Sequence, residues 1–237
     1  MGLNQEPLIC PMHLKFGGSN LPGRFITFEG SEGAGKSTQL GLLHEWMKSV
    51  GLGVRVTREP GGTELGAGVR EVLLTPRDEE VSPLAELLLY EADRAQHVSR
   101  VIRPTLEAGD HVLCDRFYDS TTAYQSYGRG LSLELVEEMN VRATEGLVPD
   151  MTLLLEASPE EGLRRARGGA EGDRLEGESL AFHERVWQGF IEIARREPDR
   201  FRLIPTGTIE EVHTRILDTV TKAFGWTGDS FKVKTLP

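Results

Sequence analysis

The stretch Phe28-Glu29-Gly30-Ser31-Glu32-Gly33-Ala34-Gly35-Lys36-Ser37-Thr38 holds the clearest chemistry in the chain. It satisfies the pattern Gly-x4-Gly-Lys-Ser/Thr. Glycines at those places let backbone N–H groups turn toward phosphate oxygens. A helix starting at Lys36 would add the positive end of its dipole. The lysine reaches the β- and γ-phosphates, and the Ser37 hydroxyl binds Mg²⁺. Gly30, Ser31, Glu32, Gly33, Ala34, Gly35, Lys36, Ser37 and Thr38 are therefore the expected ATP-binding residues. A second oxygen ligand for Mg²⁺ is expected at the end of another strand, and Asp115 in His111-Val112-Leu113-Cys114-Asp115 supplies it. Glu32 is out of place among groups that hold anions, so its carboxylate must face something other than the ATP phosphates.

These residues need a scaffold. Apolar runs at 24–30, 111–116, 150–157 and 201–206 read as strands, as does 54–62, which runs into a Pro-Gly-Gly turn. Helical spacing marks 36–50, with Gly51 as its stop, and also 65–74, 132–144, 209–224 and a segment opened by Pro159. A longer helix over 83–108 is expected to bend or break near Arg103-Pro104. Strands alternating with helices predict an α/β fold with a parallel sheet and helices on both faces. Ligands then sit beyond the carboxyl ends of the strands, where Gly30, Arg58 and Asp115 fall. The glycine-rich, charged patch at 165–174 reads as a mobile flap within one domain.

Bulk properties narrow the function classes. The 237 residues carry a formal net charge of −10, which disfavours sequence-independent nucleic-acid binding. Cys10 and Cys114 form no Cys-x-x-Cys pair, so a zinc site or disulfide framework is not expected and a reducing cytoplasm is. No run approaches a membrane span, and no membrane partner is expected. The Met-Gly start has Glu6 where a myristoylation signal needs Ser or Thr, and it lacks a secretory apolar core. Residues 1–22 read as a mobile extension, 23–225 as the domain with a lid at about 164–176, and 226–237 as a tail. A GTPase would carry Asn-Lys-x-Asp, which is absent.

Four linked motifs, FITFEGSEGAGKST, TREPGGT (57–63), YEADRAQHV (90–98) and DRFYDSTTAYQ (115–125), resemble thymidylate kinase in order and spacing over residues 24–224. The resemblance implies a P-loop, nucleoside monophosphate kinase-type three-layer fold with a five-stranded parallel sheet and a mobile lid. It implies Mg²⁺-dependent transfer of the γ-phosphoryl group of ATP to dTMP, giving dTDP and ADP for dTTP synthesis, in a homodimer. Arg58 and Arg70 would face the acceptor phosphate, where a guanidinium can grip through two parallel hydrogen bonds. Arg116 would bridge the acceptor phosphate and the transferring group.

The same resemblance makes Tyr90 and Arg94, four apart on a helix, the thymine reader, with Thr121 at the pyrimidine edge. Tyr124 would fill the space beside the sugar C2′ and disfavour a ribose hydroxyl. Glu32 would accept a hydrogen bond from the sugar 3′-OH. Tyr90 stands where many relatives have Phe, and Pro205 where relatives often have Asp. Gly33 stands where one subgroup has arginine, so the lid would supply the missing charge, from Arg165 or Arg174, with Arg167 also open. The alternatives are a kinase for another nucleoside monophosphate and a non-catalytic nucleotide-binding module. The module would be expected to lose Lys36, Asp115 or Arg116, and all three are present.

Overall fold

The computed structural model describes residues 21–166 and 173–226. Most of the N-terminal extension, most of the tail and the centre of the flap, including Arg167, lie outside the described residues. Five strands form one parallel sheet: β1 (Phe25–Glu29), β2 (Val54–Arg58), β3 (His111–Asp115), β4 (Met151–Glu156) and β5 (Phe201–Pro205). Their order is β2-β3-β1-β4-β5. The three inner strands are almost wholly buried, which explains why they read as continuous apolar runs. The edge strand β2 exposes Arg55 and Val56.

The register aligns the site. Phe28 of β1 pairs with Asp115 of β3, and Arg58 of β2 pairs with the same Asp115. The connection leaving β1 crosses toward β2, while that leaving β3 crosses the other way toward β4. Two neighbouring strands whose connections diverge leave a crevice at their carboxyl ends.

The helices are α1 (Lys36–Ser49), α2 (Glu64–Leu74), α3 (Pro83–His97), α4 (Arg103–Glu107), α5 (Tyr118–Thr121), α6 (Leu133–Thr144), α7 (Pro159–Ala166), α8 (Leu180–Arg196) and α9 (Ile209–Phe224). On one face of the sheet, Leu40, Leu43 and Met47 of α1 and Val212, Ile216 and Val220 of α9 pack with Ile26, Phe28 and Leu153. On the other, Val98, Ile102 and Leu106 pack with Phe25, Val112 and Phe117, while Tyr124, Phe182, Val186 and Phe190 form a further cluster. That is the expected three-layer arrangement.

Three features add to the sequence reading. Between α3 and α4 the chain takes a wider π-helical path over Val98–Ile102, which is the break expected near Arg103-Pro104. Pro104 has no N–H to give to the preceding turn, and the loosened ladder sits there. Helix α8 was not expected, although Ser179 caps it and Phe182, Val186, Phe190 and Ile193 recur at helical spacing on its buried side. It lies so close to a second π-helical segment, Thr122–Gly128, that a Cβ on Gly189 would stand 2.8 Å from the Tyr127 ring. Finally, both ends of the described chain are packed down. Leu21 packs against the core, and Trp226 is buried against Phe224 and His111.

Candidate active site

The phosphate loop closes tightly between β1 and α1. Gly30 (φ 132°), Gly33 (φ 65°) and Gly35 (φ 92°) all take left-handed conformations. At Gly30 space is also short, since a Cβ would lie 2.7 Å from the Leu155 carbonyl oxygen. Lys36 is buried, and its Nζ donates to the carbonyls of Gly30 (3.2 Å) and Ser31 (2.8 Å). Burial, then the nearby Arg116 charge, push its pKa down from the usual lysine value. Ser37 Oγ donates to Asp115 Oδ2 at 2.8 Å, so the expected Mg²⁺ ligands do meet. Gly33 to Thr38 line one cavity of about 380 Å³ together with Arg58, Arg70, Tyr90, Arg94, Asp115, Arg116, Thr121 and Tyr124.

Arg116 is clamped from two sides. Its backbone sits at φ 68°, uncommon for a residue with a side chain. Its Nη2 donates to Glu32 Oε1 at 2.6 Å, and its Nη1 donates to Ser120 Oγ at 2.9 Å. Ser120 in turn donates to Glu29 Oε2 at 2.6 Å, and Phe117 N–H donates to Glu29 Oε1 at 2.8 Å. Glu29 is fully buried, and burial followed by the charge of Asp119 raises its pKa to about 7. Glu32 behaves oppositely. Burial pushes it up, but Arg116 and Lys36 outweigh that, and its pKa is held at about 2. Tyr124 Oη also donates to Glu32, at 3.2 Å. The carboxylate in the phosphate loop therefore faces Arg116 and Tyr124, within reach of the Lys36 charge.

The other end of the cavity is anchored by buried charge. Arg94 is 1% exposed, and it donates from Nε to Glu59 (2.9 Å), from Nη1 to Glu91 (2.8 Å) and Asn140 (3.2 Å), and from Nη2 to Thr121 Oγ1 (2.8 Å). His97 joins the other Glu59 oxygen at 2.9 Å and Thr57 Oγ1 at 2.6 Å. Asp93 accepts from Gly61 N–H at 3.1 Å, and burial, then the Glu59 charge, raise its pKa to about 6. Helix α3 thus fixes the Glu59-Pro60-Gly61-Gly62 turn. Arg70 Nη1 donates to the Pro60 carbonyl at 3.0 Å, and the side chains of Arg58 and Arg70 both come close to Gly61. Two guanidiniums so close lower the Arg70 pKa, after burial itself. An anion bound between them would relieve that repulsion.

Among the described residues, the lid arginines Arg165 and Arg174 make their side-chain hydrogen bonds away from the phosphate loop. Arg174 donates to the Leu73 carbonyl (2.8 Å) and to the Glu86 carboxylate. A fully buried carboxylate holds Arg174 in this arrangement, and the approach to the phosphates expected of it belongs to a closed lid. Arg165 pairs with Glu161 on the exposed side of α7. That helix nevertheless abuts the loop, since a Cβ on Gly162 would lie 2.1 Å from the Glu32 carbonyl oxygen. Arg165 is three residues on, the same helix face. Glu59 and Leu175, which the sequence did not single out, also line the cavity, as do Gln125 and Asp173, to which it gave no firm role. Among the described residues no helix is long and apolar enough to cross a membrane.

Comparison with known proteins agrees with this geometry. A family model described as thymidylate kinase matches residues 28–216. The chain is 52% identical over 199 residues to a thymidylate kinase of Gloeobacter violaceus, covering 81% of this chain and 93% of that one. It is 53% identical over 182 residues to a thymidylate kinase of Deinococcus radiodurans, covering 77% and 88%. The crystal structure of a thymidylate kinase from Ehrlichia chaffeensis superposes with a TM-score of 0.70 at 34% identity, covering 84% of this chain and 98% of that one.

The Glu32 pKa of about 2 lies below the ordinary 4.5, so the native state binds fewer protons than the unfolded state between those values. Its stabilising effect is complete above about pH 4.5 and is lost as pH falls toward 2. Glu32→Gln is expected to flatten that part of the acid-unfolding curve, followed by circular dichroism. A curve with unchanged slope there would mean the ion pair contributes nothing.

Proposed function

Because the chain belongs to the thymidylate kinase family and phosphorylates dTMP to dTDP at the expense of ATP, we propose how its own residues divide that work. The observation that carries the assignment is Glu32, held between Arg116 and Tyr124 on the cavity side of the phosphate loop. The loop from Gly30 to Thr38 binds the ATP phosphates. Its N–H groups and the Lys36 ammonium hold the β- and γ-phosphates, Lys36 exchanging its loop carbonyls for them. Ser37 and Asp115 supply hard oxygen ligands, and their meeting at 2.8 Å suits a cation that takes few protein ligands and completes its shell with phosphates and water. Mg²⁺ bound there would neutralise phosphate charge.

At the acceptor end, Arg58 and Arg70 grip the dTMP phosphate. Glu32 accepts from the sugar 3′-OH and so fixes the distance between acceptor and donor. Tyr124 crowds the C2′ position, and Tyr90 stacks on the base. Arg94, immobilised by Glu59, Glu91 and Asn140, and Thr121 present polar groups to the base edge. One acceptor phosphate oxygen forms the new bond to the γ-phosphorus as the bond to the ADP oxygen breaks. Arg116 stabilises the charge that develops between the two. Arg165, on the helix that touches the loop, supplies the second guanidinium as the lid closes.

The reading places the enzyme in the cytoplasm as a homodimer. Support for a dimer comes from α2, α3 and α6, which pack side by side and leave Leu65, Val72, Leu84, Leu88 and Leu135 exposed. Isolated exposed leucines are ordinary, but a cluster on adjoining helices marks an interface.

Three measurements check these assignments. ADP formation with Mg-ATP should be fast with dTMP, slower with dUMP and near background with UMP or water alone; equal rates with dTMP and UMP would remove Tyr124 from sugar selection. Arg94→Ala should raise KM for dTMP far more than KM for ATP, whereas Arg165→Ala should lower kcat by about 10³-fold with little change in dTMP affinity; the reverse pattern would exchange their roles. Sedimentation velocity should give twice the 26.3 kDa chain mass, falling to a monomer in Leu84→Glu/Leu88→Glu; a monomeric native chain refutes the interface.

A further inference from the structure

Glu86 is a fully buried carboxylate for which the reaction described above has no use. It lies on α3 one turn before Tyr90 and two turns before Arg94. Every partner it has is a donor. Its Oε1 accepts from Gln125 Nε2 at 2.8 Å and from Arg129 Nε at 3.0 Å. Its Oε2 accepts from Arg129 Nη2 at 3.2 Å and from Arg174 Nη2. Burial acts to protonate it, but the hydrogen bonds and charges of Arg129 and Arg174 hold its pKa below the usual carboxylate range. Arg129 is further fixed by Glu178 at 2.6 Å and lies over the Phe182 ring at 4.7 Å.

The connected parts give this cluster its meaning. Arg174 is tied to the end of α2 twice more, by Nε to the Leu73 carbonyl (2.8 Å) and by its own N–H to the Leu74 carbonyl (3.0 Å). Its two neighbours, Asp173 and Leu175, line the acceptor cavity, as do Leu74 and Gln125. Asp173 Oδ1 caps the N–H groups of Leu175 and Glu176 at 2.9 Å each, so this short segment is a shaped turn. The negative charge of Asp173 also acts on Arg70. One carboxylate therefore anchors two walls of the same cavity that are far apart in sequence: the Gln125 wall and the 173–175 wall.

We propose that Glu86 and Arg174 are positioning residues that latch the 173–175 segment over the bound dTMP and hold it in register with Gln125. The inference rests on the assignment of this cavity to dTMP. It differs from the role implied by family resemblance, in which Arg174 would act on the transferring phosphate. A guanidinium that satisfies a buried carboxylate and a backbone carbonyl is committed to shape. Moving it to the phosphates would leave Glu86 with Arg129 as its sole guanidinium partner. The latch acts on acceptor affinity and leaves the phosphoryl-transfer step to Arg116 and Arg165.

The test uses the full-length protein with Arg174→Met, which keeps the apolar stem and removes the donors, and Arg174→Lys as partial rescue. Wild-type turnover of dTMP is measured first; its absence would overturn the cavity assignment, independently of the latch. Given that activity, Arg174→Met should raise the dTMP Kd by calorimetry and KM for dTMP by about tenfold, the scale of losing a charged hydrogen bond. Its kcat should change by less than about threefold, with KM for ATP unmoved. Hydrogen exchange over 173–178 should slow when dTMP binds the wild type, but not when it binds Arg174→Met. A large fall in kcat at unchanged dTMP affinity would return Arg174 to the transferring phosphate and overturn the proposal. Unchanged affinity together with unchanged exchange protection would also overturn it. Glu86→Gln should reproduce the affinity loss if it folds; if it does not fold, the Arg174 pair decides.

Discussion

The site depends on one guanidinium being held where the end of β3 meets the end of β1. Arg116 adopts φ 68°, a conformation whose cost is about 1–3 kcal/mol for a residue of this kind. The surrounding contacts leave it no alternative. Its N–H donates to the Phe28 carbonyl at 3.0 Å, and the next N–H, from Phe117, donates to Glu29. The bend swings the side chain back over the phosphate loop, where Glu32 and Ser120 receive it. An extended residue here would continue the strand line, and Arg116 could not reach Glu32 and Ser120. The two carboxylates of Phe28-Glu29-Gly30-Ser31-Glu32 thus act as a pair. Glu29 holds the arginine's base from beneath, and Glu32 holds its tip.

Buried charge is used the same way elsewhere in the molecule. Glu59, Glu91, Asp93, Arg94 and His97 are all nearly inaccessible, and burying them is costly unless each is partnered. Such clusters are weak contributors to net stability, but they allow few alternative arrangements. The Glu59-Pro60-Gly61-Gly62 turn has little apolar surface with which to hold its shape, and α3 fixes it through these ionic contacts. The Asp119–Arg200 pair, bidentate at 2.7 Å and joined by Thr152, does comparable work between α5 and the start of β5. Apolar packing builds the two faces of the sheet, and charge pairs set the loops at its carboxyl edge.

This division also separates the parts of the site fixed to the sheet from those held by exposed contacts. The phosphate loop, Asp115 and Arg116 are fixed to the sheet by backbone hydrogen bonds. Arg165 stands on a short helix with an exposed partner, Glu161, an interaction of the kind that contributes little and is readily exchanged. A catalytic cycle needs such asymmetry: a preorganised acceptor and donor platform, and a charge that arrives when water has been excluded.

The amino-acid sequence by itself determined the phosphate loop, all five strands to within a few residues, most helices and the residues that line the cavity from the four motifs. These are local matters, decided by glycine conformations, apolar periodicity and side-chain chemistry read over a dozen residues. Helix α8 is legible too, in its Ser179 cap and apolar spacing. What only the tertiary structure decided is which charges meet. Glu86 stands 88 positions from Arg174 and 39 from Gln125, and Glu29 stands 91 from Ser120. A buried carboxylate accepts from any donor the fold brings within about 3 Å, so its identity in the chain does not name its partner. The pairing of β1 beside β3 and the close seating of α8 make those choices, and with them which arginine is held by Glu32 and which by Glu86.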